Sequence, residues 1–348
     1  MEMKIRIDLV SDTATRPTAA MRRAMAEAEV GDEQLGEDPT VNALCRRVAD
    51  LLGQESALFL PSGTMCNQIA IASHCRPGDE IIAAESAHIL TSEGAGAAVL
   101  AGALVRSIQT PDGVFGALDL DNAIRQAGVK APVSRLVSIE QTSNRGGGTV
   151  WPAATIAEVA TAARAAGLLV HMDGARLMNA VVASGEAASI YTPKLDSVWL
   201  DLSKGLGCPV GAVLAGSNDF ISRANVWKHR LGGAMRQAGI IAAAGLYALD
   251  NNIERLAEDH ANARIFADRL AAIDGIELAQ PRVETNLVFF DVGATGLAAP
   301  DIARRLHDRA IRIGAETATR MRAVTHLGVD RQGVEEAADA LAEIVRIG

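Results

Sequence analysis

Short apolar runs alternate with segments of helical spacing along most of this 348-residue chain. Glu80–Ala84, Arg135–Glu140, Leu168–Met172, Leu195–Leu202 and Val210–Ala215 read as strands. Thr18–Glu29, Thr40–Leu52 and Thr155–Ala166 have helical spacing and stop at or near a glycine. A further helix is expected over Gly63–Cys75, with Ser62 as its N-cap and Pro77-Gly78-Asp79 as its stop. Strands this short, apolar on both faces and joined by helices, build a parallel sheet covered on both sides. The fold class is therefore α/β. In such sheets ligands sit beyond the carboxyl ends of the strands. Asp173 and Lys204 each lie just past such an end.

The stretch Gly233–Leu270 is helical and is the best place for a boundary. Beyond it, Asn286–Val292 and Arg322–His326 read as strands, and Pro300–Arg309 and Gln332–Ile347 as helices. This sets an expectation of a large domain with the N-terminal segment over 1–250 and a smaller α/β domain over 251–348. Asp+Glu exceeds Lys+Arg by 42 to 33, a formal charge of −9. That balance disfavours nucleic acid and anionic membranes as partners, because both require a basic face. The longest uncharged run, Ala238–Leu249, is 12 residues, too short to span a bilayer. Met1–Asp8 has no apolar core of a secretory signal, and the four cysteines have no CxxC spacing. A cytoplasmic protein with reduced thiols is expected.

Several residues have chemical potential. Lys204 in Asp201-Leu-Ser-Lys-Gly-Leu-Gly is a turn lysine whose amine could attack a carbonyl, or simply a surface charge. Asp173 could pair with a protonated ring nitrogen, as on pyridoxal phosphate (PLP), or cap a helix. Arg176, three residues on, could hold a carboxylate or phenolate oxygen. A strand-end Asp 31 residues before a strand-end Lys favours PLP over the plainer readings. Pro61-Ser-Gly-Thr-Met follows an apolar run and opens a helix, a place for a phosphate, although many helices begin this way. His88 could stack on a ring, move protons, or only bond to its loop. His88, Glu93 and His171 lack zinc spacing, so no metal is expected. Arg236 and Arg322 are anion-clamp candidates or structural ion pairs. No GxGxxG follows a strand, which argues against a dinucleotide-dependent dehydrogenase.

Taken together and in order, the segments resemble the threonine aldolase family of fold-type-I PLP enzymes. The matching stretches include Asp8-Leu-Val-Ser-Asp-Thr-Ala-Thr-Arg-Pro, Leu60-Pro-Ser-Gly-Thr-Met, His171-Met-Asp-Gly-Ala-Arg and Leu202-Ser-Lys-Gly-Leu-Gly. Gly232-Gly-Ala-Met-Arg-Gln and Val324-Thr-His extend the match, which runs from residue 8 to 329. The resemblance implies that Lys204 holds PLP, Asp173 keeps the ring nitrogen protonated and His88 stacks on the ring. It implies that Ser62, Gly63 and Thr64 bind the phosphate, joined by Arg236 of a neighbouring subunit. Ser11, Arg176 and Arg322 would hold the substrate carboxylate, with Glu93 near the substrate hydroxyl. The implied reaction is cleavage of L-threonine, L-allo-threonine and related β-hydroxy-α-amino acids to glycine and an aldehyde. The implied assembly is a homotetramer, a dimer of dimers with shared active sites. Two positions depart from the family pattern: Ser143 stands where a His is common, and Leu35 where a Tyr is common. Both family positions lie near the substrate side chain, so Ser143 is a candidate for substrate selectivity. Another PLP lyase, β-eliminating or acting on a different β-hydroxy amino acid, is the alternative.

Overall fold

The computed structural model describes residues 4–126 and 128–348, so the sequence reading of the first three residues lies outside it. The chain forms two compact units: Pro17–Ile253, and the N-terminal residues through Arg16 together with Glu254–Gly348. The N-terminal segment, expected with the large domain, belongs to the small unit. Ile7–Asp8 makes a parallel ladder with Ile311–Arg312, and Ile7 and Leu9 are buried in the small unit's core. Two residues of ladder leave no periodicity for sequence reading to detect.

The large unit is built on a seven-stranded sheet. Its strands are β1 (Ser56–Leu60), β2 (Asp79–Ala84), β3 (Leu104–Ile108), β4 (Val133–Glu140), β5 (Leu169–Asp173), β6 (Ser197–Asp201) and β7 (Ala212–Gly216). Their spatial order is β1-β7-β6-β5-β4-β2-β3. Every pairing is parallel except the two that β7 makes with β1 and β6. All five residues of β6 and of β7 are buried, and the centre of each is apolar on both faces. β3 (Leu-Val-Arg-Ser-Ile) is a half-exposed edge strand and carries no such run.

Most helices sit where their spacing predicts. The Gly63–His74 helix is capped by Ser62, whose hydroxyl accepts from the Met65 amide. The Gly233–Leu270 stretch is two helices, Gly239–Asn251 and Leu256–Ala271, and the unit boundary falls between them. The first is buried along most of its length against the Ala19–Ala26 and Pro39–Leu52 helices.

The small unit holds a four-stranded antiparallel sheet centred on Leu287–Asp291 and Arg320–Val324. The Leu256–Ala271, Ala299–His307 and Arg331–Ile347 helices bury Phe266, Leu270, Ile302, Leu306 and Leu341 in the same core as Phe290 and Met321. Among the described residues, no helix is long and apolar enough to cross a membrane.

Candidate active site

Three neighbouring strands end together in the middle of the large sheet. β4 ends at Glu140, directly opposite Asp173, the last residue of β5. β6 ends at Asp201, and the chain turns at once into Ser203 and Lys204. These carboxyl ends bring together residues that are far apart in sequence.

Asp173 is 3% exposed. Its Oδ2 accepts from Asn67 Nδ2 at 2.7 Å and its Oδ1 from the Ala175 amide at 3.0 Å. Both donors are neutral, and among the described residues no lysine or arginine lies within ion-pair distance of it. A buried carboxylate hydrogen-bonded only by neutral donors retains a strong attraction for a cation. A protonated ring nitrogen would satisfy it.

His88 opens a short helical turn after β2. Its Nδ1 lies 2.8 Å from Glu93 Oε1, and its amide donates to Glu140 Oε2 at 2.7 Å. The bond to Glu93 raises the His88 imidazole above its ordinary value. Burial raises the Glu93 carboxyl too. Both shifts favour retention of a proton on the pair. Glu140 also accepts from the Asn144 amide, and burial, reinforced by the Asp173 charge, pushes its carboxyl up to about 7. Ligand-type atoms of His88, Glu93 and Asp173 lie within 4.8 Å of one another. Sequence spacing could not show this grouping, because Asp173 arrives from a distant strand. Hydrogen bonds among these groups and Asn67 already account for the approach.

Lys204 is half-buried, with Nζ 3.1 Å from Asp201 Oδ2 and 5.8 Å from the centre of the Trp199 ring. Asp201 also accepts from the Ser203 amide and hydroxyl, which fixes the turn. The other face of the assembly is the start of the Gly63–His74 helix. A Cβ on Gly63 would come 2.2 Å from the Trp199 ring, so only glycine lets the helix start this close to β6. Among the described residues nothing accepts from the Gly63 and Thr64 amides, and the helix dipole adds positive potential there. Ser62, Gly63 and Thr64 therefore present a cradle for an anionic group.

Arg176 is buried, and its amide donates to the Gln141 carbonyl beside β4. Ser143 is buried as well, its Oγ so placed that a Cβ on Gly113 or Gly146 would come within 1.9 or 2.4 Å. Glycine at both positions therefore leaves room for the Ser143 hydroxyl. Arg236 is exposed, and its guanidinium pairs with Asp32 at 2.8 Å. Leu35, in the adjoining 3-10 turn Glu33–Leu35, is 70% exposed. Ser11 and Arg322 both belong to the small unit. Ser11 Oγ accepts from the Thr13 amide and hydroxyl, and Arg322 Nη2 donates to the Val10 carbonyl at 3.2 Å. Sequence reading did not single out Asn67, Trp199 or Glu140 as site residues.

Histidines behind the site are neutral. Burial pushes His74 and His171 down to about 3. A depressed histidine contributes stability that is whole above the unfolded value near 6.5 and is lost as pH falls through about 3. Glu140 works in the opposite sense: its contribution is whole below the unfolded value of 4.5 and is lost as pH rises through about 7. Between pH 4.5 and about 3 each of these two histidines adds about 1.4 kcal/mol per pH unit of acid sensitivity. Trp151, Trp199 and Trp227 all lie in the large unit, so tryptophan fluorescence reports its unfolding. Urea titrations of the cofactor-free protein between pH 3 and 4.5 should show a slope reduced by one proton in His171→Asn. Equal slopes would mean that His171 is already charged in the folded state.

The sheet order, the single reversed strand and a lysine turn beside a buried aspartate define a fold-type-I PLP-dependent enzyme. Residues 8–293 match the Beta-eliminating lyase family. The low-specificity L-threonine aldolase of Escherichia coli (strain K12) is 43% identical over 335 residues, covering 95% of this chain and 97% of that one. A probable low-specificity L-threonine aldolase of Arabidopsis thaliana is 38% identical, covering 94% of each chain. The solved threonine aldolase of Leishmania major superposes with a TM-score of 0.83 at 23% identity, covering 97% of this chain and 99% of that one. The chain belongs to the Beta-eliminating lyase family, within its threonine aldolase group.

Proposed function

We propose that this protein binds PLP and cleaves L-threonine, L-allo-threonine and related L-β-hydroxy-α-amino acids to glycine and an aldehyde. The observation that carries the reading is the buried Asp173 carboxylate, held by neutral donors at a strand end beside the Lys204 turn. When bound, PLP supplies the electron sink for the breaking Cα–Cβ bond. Asp173 holds a proton on the ring nitrogen by charge pairing. Lys204, its amine 3.1 Å from the Asp201 carboxylate, would hold the cofactor. The amides of Gly63 and Thr64, with Ser62, take the phosphate. His88, paired with Glu93, accepts the β-hydroxyl proton. Arg176 would hold the substrate carboxylate and so fix the substrate's orientation. The Ser143 enclosure shapes the space for the β-substituent.

The relatives named as low-specificity L-threonine aldolases support the substrate class. The wider family's description keeps β-elimination as a second reading, distinguished by its products. Purified PLP-loaded protein should release aldehyde and glycine from L-threonine or L-allo-threonine. Pyruvate and ammonia in their place would establish elimination, and no reaction with either substrate would overturn the cleavage assignment. We further propose a cytoplasmic homotetramer with shared active sites. Arg236 on an exposed loop beside Leu35 supports the shared sites, and four free thiols support a reducing compartment.

A further inference from the structure

Behind the cofactor site lies a buried polar chain that the proposed chemistry does not use. Asn67 is fully buried in the Gly63–His74 helix. Its Nδ2 lies 2.7 Å from both Glu93 Oε1 and Asp173 Oδ2. Its Oδ1 lies 2.7 Å from Trp199 Nε1 and 3.1 Å from His171 Nε2. An indole nitrogen can only donate, so the atom facing Trp199 must be the oxygen. The amide is thereby fixed in one orientation, with two hydrogens given and two accepted.

That orientation sets the direction of the bonds behind it. His171 Nε2 must carry its hydrogen and donate it to Asn67. His171 Nδ1 must then accept from the Ser197 hydroxyl, 2.8 Å away. With its hydrogen so used, Ser197 accepts from His74 Nε2, also at 2.8 Å. The bonds run one way, from His74 through Ser197, His171 and Asn67 to the two carboxylates, and bonds aligned in this manner strengthen one another. Simple periodicities bring these residues together. Asn67 and His74 are seven apart on one helix face. His171 and Asp173 share one face of β5, as Ser197 and Trp199 share one face of β6, and His171 pairs directly with Ser197.

We propose that Asn67 is the positioning residue of the site: its amide hydrogens set the Asp173 and Glu93 carboxylates in the arrangement that receives the ring nitrogen and His88. This deepens the PLP reading and rests on it. Asn67 touches neither ring nor substrate; it acts through Asp173 and Glu93. Without its hydrogens the two carboxylates would lose a shared donor and turn apart, and Asp173 would no longer be fixed toward the ring.

Three variants test this, each compared with wild type for PLP dissociation constant, visible absorption of the bound cofactor, and kcat against KM. Asn67→Asp keeps the oxygen that Trp199 and His171 require and can donate one hydrogen at most, so the two carboxylates no longer share a donor. It should weaken PLP binding at least tenfold, move the visible band, and lower kcat far more than it changes KM. Asn67→Leu should do the same. Ser197→Ala interrupts the chain one step behind His171 and should shift PLP affinity in the same direction by two- to fivefold. Wild-type PLP affinity and an unmoved band in Asn67→Asp would overturn the proposal. If the Asn67 variants do not fold, an unchanged band and affinity in Ser197→Ala would overturn it equally. A wild-type chain that takes up no PLP would instead remove the cofactor reading, and the proposal with it.

Discussion

Lys204→Ala is expected to lower aldehyde release from L-threonine by on the order of a thousandfold or more. Borohydride should no longer fix PLP to the protein. The physical reason is positional. Lys204 is delivered by a turn that Asp201 and Ser203 tie together, to a point over the Trp199 ring at the end of β6. Among the described residues no second lysine is paired with Asp201. The Lys228 side chain is committed to an ion pair with Glu33, both buried. The variant should still bind PLP non-covalently, because Asp173 and the Gly63–Thr64 amides are untouched. Turnover within tenfold of wild type, or borohydride fixation that persists in the variant, would show that another group attaches the cofactor.

Asp173→Asn should be nearly as damaging to turnover, by roughly a hundredfold or more, and for a different reason. The substitution keeps the shape of the side chain and removes its charge. An amide cannot hold the ring nitrogen protonated as a carboxylate does, so the ring becomes a poorer sink for electrons. One of its two polar ends would also oppose a neighbouring donor, since Asn67 and Ala175 both present N–H to Asp173. PLP affinity should therefore fall along with kcat, where Lys204→Ala acts mainly on kcat. Measuring cofactor affinity and single-turnover rates on both variants separates the two roles. Asp173→Asn with wild-type kcat would show that this charge does not assist the reaction.

Much of this was legible in the sequence. β5 and β6 read as strands because both faces are buried, and Ser62 read as an N-cap because its hydroxyl can serve no better purpose before Gly63. What periodicity lacks is direction. β7 is as apolar as its neighbours, so nothing marks it as the strand that runs backwards. The helix Asn218–Arg230 escaped notice because a polar surface outweighs its buried Phe220, Ile221 and Ala224. At the site, motifs located Asp173, Lys204 and His88 because each stands beside a strand end. Asn67 stands in mid-helix among Met65, Cys66, Ile69 and Ala70, and a lone asparagine there has no motif. Its one signal was a polar residue on the face that also carries His74, in a helix otherwise apolar enough to be buried.

The ladder between Ile7 and Ile311 joins positions 304 residues apart in the chain. On a ribosome, Pro17–Ile253 can complete its sheet while the strand at 311 has not yet been made, so domains of this arrangement mature in order. The segment carrying Ile7 and Leu9 must wait with its apolar side chains uncovered until its partner emerges. Closing so long a loop is slow, although lengthening it further would add little entropic cost. Folding of the small unit is thus the late step, and the interval before it is when the nascent chain most needs protection.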